Sequence, residues 1–293
     1  MVCNLCPRNC NTDRSTKVGY CKMTDTLKVS RGALHFWEEP CISGENGSGT
    51  VFFSGCNMGC VYCQNQDISH EGFGKEITVE RLAEIFIELE KKSAHNINLV
   101  TPTHFAPQIV QAVKISRKNG LSIPVVYNTS GYEKAENIEN LKGTVDVFLP
   151  DFKYFYSETA KKYSFCADYP QMVKKAIAQM VRQTGPCVFD NDGMIQKGVI
   201  VRVLVLPGHT DEAKQIIEYL YTTYKDDIFI SIMSQYTPCT DLQKYPEINR
   251  KLTQEEYDDV IDFAVELGLE NGFVQEGESA SESFIPPFNL EGV

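Results

Sequence analysis

The chain has 293 residues, with 28 Lys and Arg against 39 Asp and Glu, a formal net charge of −11 and a pI near 5.0. With 42% hydrophobic and 23% charged residues, its composition is that of an ordinary globular protein able to build a core without disulfides. The acidic balance excludes nucleic acid as a bulk electrostatic partner. No apolar run suits a spanning helix or a secretory signal, so the expectation is a cytoplasmic protein with no membrane partner.

In that compartment clustered cysteines are metal ligands or catalytic groups more often than disulfides, and this chain has 11 cysteines. Cys3, Cys6, Cys10 and Cys21 crowd the N-terminus with spacing C-x2-C-x3-C-x10-C, with Pro7 and Gly19 as turn formers. Four thiolates satisfy a closed site for zinc or one iron, or the corners of a second iron–sulfur cluster. The alternative is a reduced tail without metal. The first 50 residues show no helix pattern and read as a loop-like extension, with domains expected at 1–46 and 47–293. Within ALHFWEEPCISG, His35, Glu38 and Glu39 read first as a solvated loop around a buried Trp37, and second as acid–base groups near a site.

From residue 50 short apolar runs alternate with helical patterns. The expected strands are 50–56, 97–102, 123–128, 145–152, 199–207 and 228–236, nearly continuous in apolarity, as parallel strands covered on both faces are. Helical stripes run through 79–92, 106–118, 171–183, 211–224 and 254–267, the last opened by a Thr253-x-x-Glu256 capping box. A hairpin is expected at 187–198 around Asn191-Asp192-Gly193. This βα alternation predicts an α/β fold with a parallel sheet, doubly wound or closed into a barrel.

The first strand ends in GCNMGCVYCQN, which spaces Cys56, Cys60 and Cys63 as C-x3-C-x2-C. Three thiolates hold three corners of a [4Fe-4S] cube and leave one iron open, which speaks against the alternative of an electron carrier or redox sensor, since carriers usually close their clusters with four thiolates. Gly55 and Gly59 let the backbone approach the inorganic core. Cys41, Cys166, Cys187 and Cys239 are scattered and read as small buried hydrophobes. Asp151 and Lys153 share one face of a strand end, as a site pair or as a structural ion pair. Arg202, early in an apolar strand, needs an anionic partner. Asn128, Thr129, Ser130 and Gly131 are either ribose-binding groups or turn formers. His104 and His209 follow strands as mouth lining or helix starts.

The cysteine motif after the first strand of a β/α series resembles the radical SAM superfamily. Within it the chain resembles the activating enzymes of glycyl-radical enzymes, including the pyruvate formate-lyase activating enzyme and its uncharacterised relatives. The resemblance covers about residues 45–240 and is carried by GSGTVFFSGC, YNTSGY, LPDFKY, VRVLVLPGHTD and SIMSQYTP. It implies a partial (β/α)6 barrel with the cluster and S-adenosylmethionine (SAM) at the C-terminal mouth of the strands. It further implies reductive cleavage of SAM to a 5′-deoxyadenosyl radical that abstracts hydrogen. The substrate is then a glycyl-radical enzyme or a small molecule, and the electron donor a flavodoxin or ferredoxin. By the same resemblance Tyr62, Thr101, Asn128, Thr129, Ser130, Asp151, Lys153 and Arg202 line the SAM site, with Asp151 and Lys153 as catalytic groups. One departure stands out. The family's second strand usually ends in Gly-Gly-Glu, and here it ends in Val100-Thr101-Pro102, which leaves a Thr hydroxyl or a carbonyl to take the SAM amino group.

Overall fold

The computed structural model describes residues 2–238, 241–275 and 285–293. The chain opens with β1 (Lys28–His35), α1 (Pro40–Ser43), β2 (Ser48–Phe53), α2 (Gln66–Ser69), β3 (Lys75–Glu76), α3 (Val79–Lys91), β4 (Ile97–Val100) and α4 (Ala106–Lys118). It continues through β5 (Val125–Thr129), α5 (Ala135–Glu139), β6 (Val147–Pro150), α6 (Ser157–Ser164) and α7 (Tyr169–Thr184). Then come β7 (Val188–Phe189), β8 (Ile195–Leu204), α8 (Thr210–Tyr224), β9 (Phe229–Met233), α9 (Gln254–Glu266) and β10 (Gly272–Val274).

The six expected strands are β2, β4, β5, β6, β8 and β9, and they stand parallel in that order, each beside its predecessor. That sequential order decides between the two topologies the sequence left open. A doubly wound sheet reverses its strand order partway, whereas here every step goes the same way and the wall curls into a partial (β/α)6 barrel. Parallel β10 extends it beyond β9, and antiparallel β1 and β3 extend the opposite end. The expected hairpin is present as β7 against the start of β8. The capping box at Thr253 and Glu256 forms as expected.

Alternation along the strands sorts the wall into two faces. Outward side chains such as Tyr127, Phe148, Val199, Val201 and Ile230 join the helices in the large core. Inward side chains change character with height. Val126, Val147, Leu149 and Ile200 form an apolar floor closed by Cys41 and Ile42 of α1. One step further along the same strands stand Asn128, Asp151, Arg202 and Ser231. The barrel is therefore greasy at the bottom and charged toward the C-terminal strand ends.

Two expectations are corrected. Residues 28–35 are a strand in the sheet rather than loop, because Ser30, Arg31 and Gly32 interrupt the aliphatic pattern while β2 and the returning C-terminus satisfy their backbone. Trp37 is 56% exposed, and it is Glu39 beside it that is buried at 7%.

Glu133, in the loop after β5, is fully buried and accepts hydrogen bonds from the hydroxyls of Thr103 and Thr129 at 2.5 and 2.7 Å. Burial outweighs these donors and pushes its pKa up from 4.5 to about 7. Across that window the folded chain keeps a proton that the unfolded chain releases, so the Glu133 contribution is full below about 4.5 and declines as pH rises through about 7. Thermal melts of Glu133→Gln are expected to fall less steeply with pH over this window than those of the parent. Equal slopes would remove Glu133 as the cause.

Candidate active site

The chain leaves β2 through a sharp turn. Gly55 has φ +83°, and a Cβ there would stand 2.4 Å from Met23 and 2.5 Å from the carbonyl oxygen of Cys21. Only glycine fits both the left-handed backbone and the space. The turn then wraps Cys56, Cys60 and Cys63 around the mouth of the barrel. Polar groups reach each sulfur. Ser164 Oγ donates to Cys60 Sγ at 2.9 Å, the Met58 N–H points at Cys56 Sγ at 3.4 Å, and Ser69 Oγ lies 3.2 Å from Cys63 Sγ.

Burial and the neighbouring cysteines push the Cys56 thiol up to about 12 and the Cys63 thiol up to about 11. Three thiolates in mutual electrostatic reach are stable only around a strongly cationic centre, so the donor set is soft, anionic and short of positive charge. These residues fit an iron–sulfur cluster. Among the described residues no three His, Cys, Asp or Glu side chains already converge as a single-ion site, whereas a cube spreads its ligands over separate irons.

The thiols open onto a cavity of about 490 Å³ inside the barrel. Every residue expected at the SAM site lines it: Tyr62, Thr101, Asn128, Thr129, Ser130, Asp151, Lys153 and Arg202. Its charged floor is one network. Asp151 bridges Lys153 Nζ at 2.7 Å and Arg202 Nε at 2.8 Å. Arg202 also donates to Asn128 Oδ1 at 2.7 Å and pairs with Glu38 at 3.2 Å. Burial works against the charges of Asp151 and Lys153, but mutual attraction prevails, lowering the Asp151 pKa and raising that of Lys153. Lys153 also feels Cys60 and Cys63, which ties the floor to the thiol loop.

The other anions of the floor, Glu38 and Glu39, answer to the second of the two readings of their segment, groups near a site, rather than to the first, a solvated loop. Glu38 accepts from Asn98 at 3.0 Å and Asn128 at 3.2 Å, and Glu39 lies beside it with Oε2 unpartnered. Burial raises both carboxyl pKa values, and Arg202 is the cation that opposes the rise in each. The available signal was the need of Arg202 for more than one anion.

Other groups are already committed. Thr129 spends its hydroxyl on Glu133. The Tyr62 hydroxyl lies 2.7 Å from that of Tyr154, which lies 2.7 Å from Ser164 Oγ. Thr101 holds φ +58°, an uncommon conformation for a β-branched residue. His104 is buried with Nε2 2.7 Å from the Ser54 carbonyl, and His209 lies outside the cavity against Tyr163.

The N-terminal cysteines do not line the cavity; they pack behind the thiol loop. Cys41 and Cys166 are buried and Cys187 is half-buried, while Cys239 falls outside the described residues. Cys166 Sγ rests 3.9 Å from Met58 Sδ, so it supports the loop from behind.

Residues 50–220 match the family model of the Radical SAM superfamily. The chain is 32% identical over 278 residues to the uncharacterized protein MJ0674 of Methanocaldococcus jannaschii, covering 92% of this chain and 75% of that protein. It is 28% identical over 129 residues to the pyruvate formate-lyase-activating enzyme of Clostridium pasteurianum, covering 42% of this chain and 53% of that enzyme. Among solved structures it resembles SuiB of Streptococcus suis, with TM-score 0.52 and 11% identity over 79% of this chain and 49% of that chain. SuiB bound to S-adenosylmethionine matches with TM-score 0.51 and 10% identity, covering 76% and 49%. At such identity the likeness is one of fold, and the chain spans about half the length of SuiB. No helix among the described residues is long and apolar enough to cross a membrane.

Gly55→Ala is expected to lower stability by roughly 1–3 kcal/mol, because the methyl meets backbone that cannot yield. Gly193→Ala, at φ +77° with nothing within 4 Å, is the control that carries only the conformational cost of about 1 kcal/mol. Equal losses of Tm in the two variants would show that the close approach at Gly55 is unimportant.

Proposed function

The chain belongs to the radical SAM superfamily, and we propose that it is a hydrogen-abstracting oxidoreductase of the activating-enzyme kind. One observation carries the reading: among the described residues Cys56, Cys60 and Cys63, and no fourth cysteine, face a cavity whose floor is charged. In this reading the three thiolates hold a [4Fe-4S] cluster with one iron left for SAM. When bound, the reduced cluster and SAM supply a 5′-deoxyadenosyl radical.

The chain's own residues orient and enclose. Tyr62, its hydroxyl tied to Tyr154, presents its ring to the adenine. Ser130 Oγ makes no hydrogen bond within the described structure and is the hydroxyl left for the ribose. The Thr101 hydroxyl and the end of β4 take the amino group. Lys153, kept protonated by Asp151, faces the carboxylate. Arg202 fixes Asp151 and so keeps that ammonium in place.

The substrate of the first reading is the glycine loop of a glycyl-radical enzyme, supported by the partial likeness to the Clostridium pasteurianum enzyme, with flavodoxin or ferredoxin as electron donor. A second reading, a small polar molecule, is favoured by the buried Glu38 and Glu39, which give the floor acceptors that a peptide backbone at the mouth does not need.

Anaerobically reconstituted chain given dithionite and SAM is expected to form 5′-deoxyadenosine, and Cys60→Ala is expected to lose both the cluster and the product. Product no higher than an enzyme-free control would refute the reading and leave an electron carrier or sensor. Deuterium passing into 5′-deoxyadenosine from a labelled glycyl loop, or from a labelled small molecule, separates the two substrates. Thr101→Gly is expected to keep or raise Tm, since it relieves the left-handed backbone, while weakening SAM binding about tenfold for the lost hydroxyl contact. Unchanged SAM affinity by calorimetry would remove Thr101 from the site.

A further inference from the structure

Residues 2–25 fold back on themselves without a core of their own. Val2 bridges Asp13, Cys3 N–H donates to the Thr12 carbonyl at 2.9 Å, and Gly19 N–H donates to that of Met23 at 3.1 Å. Asn9, Asn11 and Lys22 make the reversals with φ of 46°, 50° and 62°. Val2, Val18 and Tyr20 remain exposed while Cys21 and Met23 reach the main core, so little apolar burial holds the rest of this segment. What the reversals gather is sulfur. Cys10 and Cys21 flank Gly19, where a Cβ would lie 3.5 Å from both sulfurs, and the free thiols of Cys3 and Cys6 lie within electrostatic reach of Cys21. Cys10 Sγ accepts the Tyr20 N–H at 3.2 Å.

A second observation is independent of the sulfurs. Arg14 is 4% exposed, and its guanidinium donates only to the carbonyls of Met23, Thr24 and His104. Arg8 likewise donates only to carbonyls. Neither forms an ion pair with a carboxylate among the described residues. A buried cation such as Arg14 needs an anionic partner, and the half-buried Arg8 lies alongside it in the same segment. Four thiolates around one divalent ion carry two negative charges, which these two guanidiniums balance.

We propose that Cys3, Cys6, Cys10 and Cys21 bind one zinc ion, and that this closed site locks the radical-cluster loop through Arg8. Among the described residues these sulfurs do not yet converge on one point, so loading the ion must draw them together. Arg8 Nε donates to the Asn57 carbonyl and Nη2 to that of Met58, both at 2.8 Å, between Cys56 and Cys60. Its remaining bonds reach the Ser164 and Phe165 carbonyls at 2.9 and 2.6 Å, beside the hydroxyl that donates to Cys60. Arg8 is therefore a positioning residue.

The test measures zinc, iron and acid-labile sulfide in the full chain and in Cys56→Ala/Cys60→Ala/Cys63→Ala, which removes the first cluster. One zinc per chain without sulfide in the triple variant, lost on adding Cys3→Ser/Cys21→Ser, supports the site. No bound metal, or about four irons with sulfide, overturns it. Cobalt(II) added to zinc-stripped triple variant is expected to give the visible bands of a tetrahedral tetrathiolate, and their absence also overturns the site. Arg8→Gln is expected to keep its zinc and lose several-fold in reconstituted cluster iron. Parent iron content in that variant overturns the coupling.

Discussion

A guanidinium set into the inner wall of a barrel must be surrounded by acceptors, and much of the site follows from satisfying Arg202. Its partners Glu38, Asn128 and Asp151 come from three separate parts of the chain, so the charged floor exists only when the wall is assembled. Removing one partner of such a buried pair costs about 3–5 kcal/mol, a large share of a typical total of 5–15. An exposed pair such as Lys214–Asp259 contributes about 1 kcal/mol at most. The floor is thus expensive to build and rigid once built. Asp151, fixed by Arg202, in turn fixes Lys153 beside the thiol loop.

The same demand explains why the segment before the barrel is part of the site. Glu38 is drawn inward to Arg202 and Asn98, and this brings Glu38 and Glu39 to the floor while Phe36 and Trp37 stay exposed, and lets α1 close the floor with Ile42. Locally that placement was only the second reading, since two glutamates beside a Trp and a Pro describe a wet loop first. What was legible rested on strong local signals. Strands covered on both faces read as apolar runs, and a C-x3-C-x2-C spacing is rarely accidental. Arg202, Asp151 and Lys153 were visible because charge at a strand end stands out against that background. β1 was not, because Arg31 and Gly32 break its pattern and only its neighbours make it a strand.

Three neighbouring strands of the wall deliver the chain to the cavity in the same unusual way. Just beyond β2, β4 and β5 stand Gly55, Thr101 and Gly131, with φ of +83°, +58° and +75°. Left-handed backbone turns the chain sharply at the rim, and at Gly131 a Cβ would lie 2.4 Å from the Asp151 carbonyl oxygen. Two of the three positions use the residue that adopts this conformation freely; the third uses Thr, at a cost of roughly 1–2 kcal/mol. The resemblance implies Gly-Gly-Glu at that strand end. Here the strand end makes its left-handed turn on Thr101 with no carboxylate beside it in the sequence.

Ser164, at the end of α6, shows how the two sides of the thiol loop are joined. Its hydroxyl donates to Cys60, which obliges Tyr154 to donate to Ser164 and Tyr62 to donate to Tyr154. That chain of hydroxyls runs from the cavity wall to a sulfur. The Ser164 carbonyl meanwhile receives Arg8 from the cysteine-rich N-terminal segment outside. The thiol loop is therefore held from within by a polar relay and from behind by a cation rooted among four more cysteines. Hydrogen bonds to the sulfurs and the local field both set the potential of a thiolate-bound cluster. Ser164 takes part in both, through its hydroxyl on Cys60 and its carbonyl on Arg8.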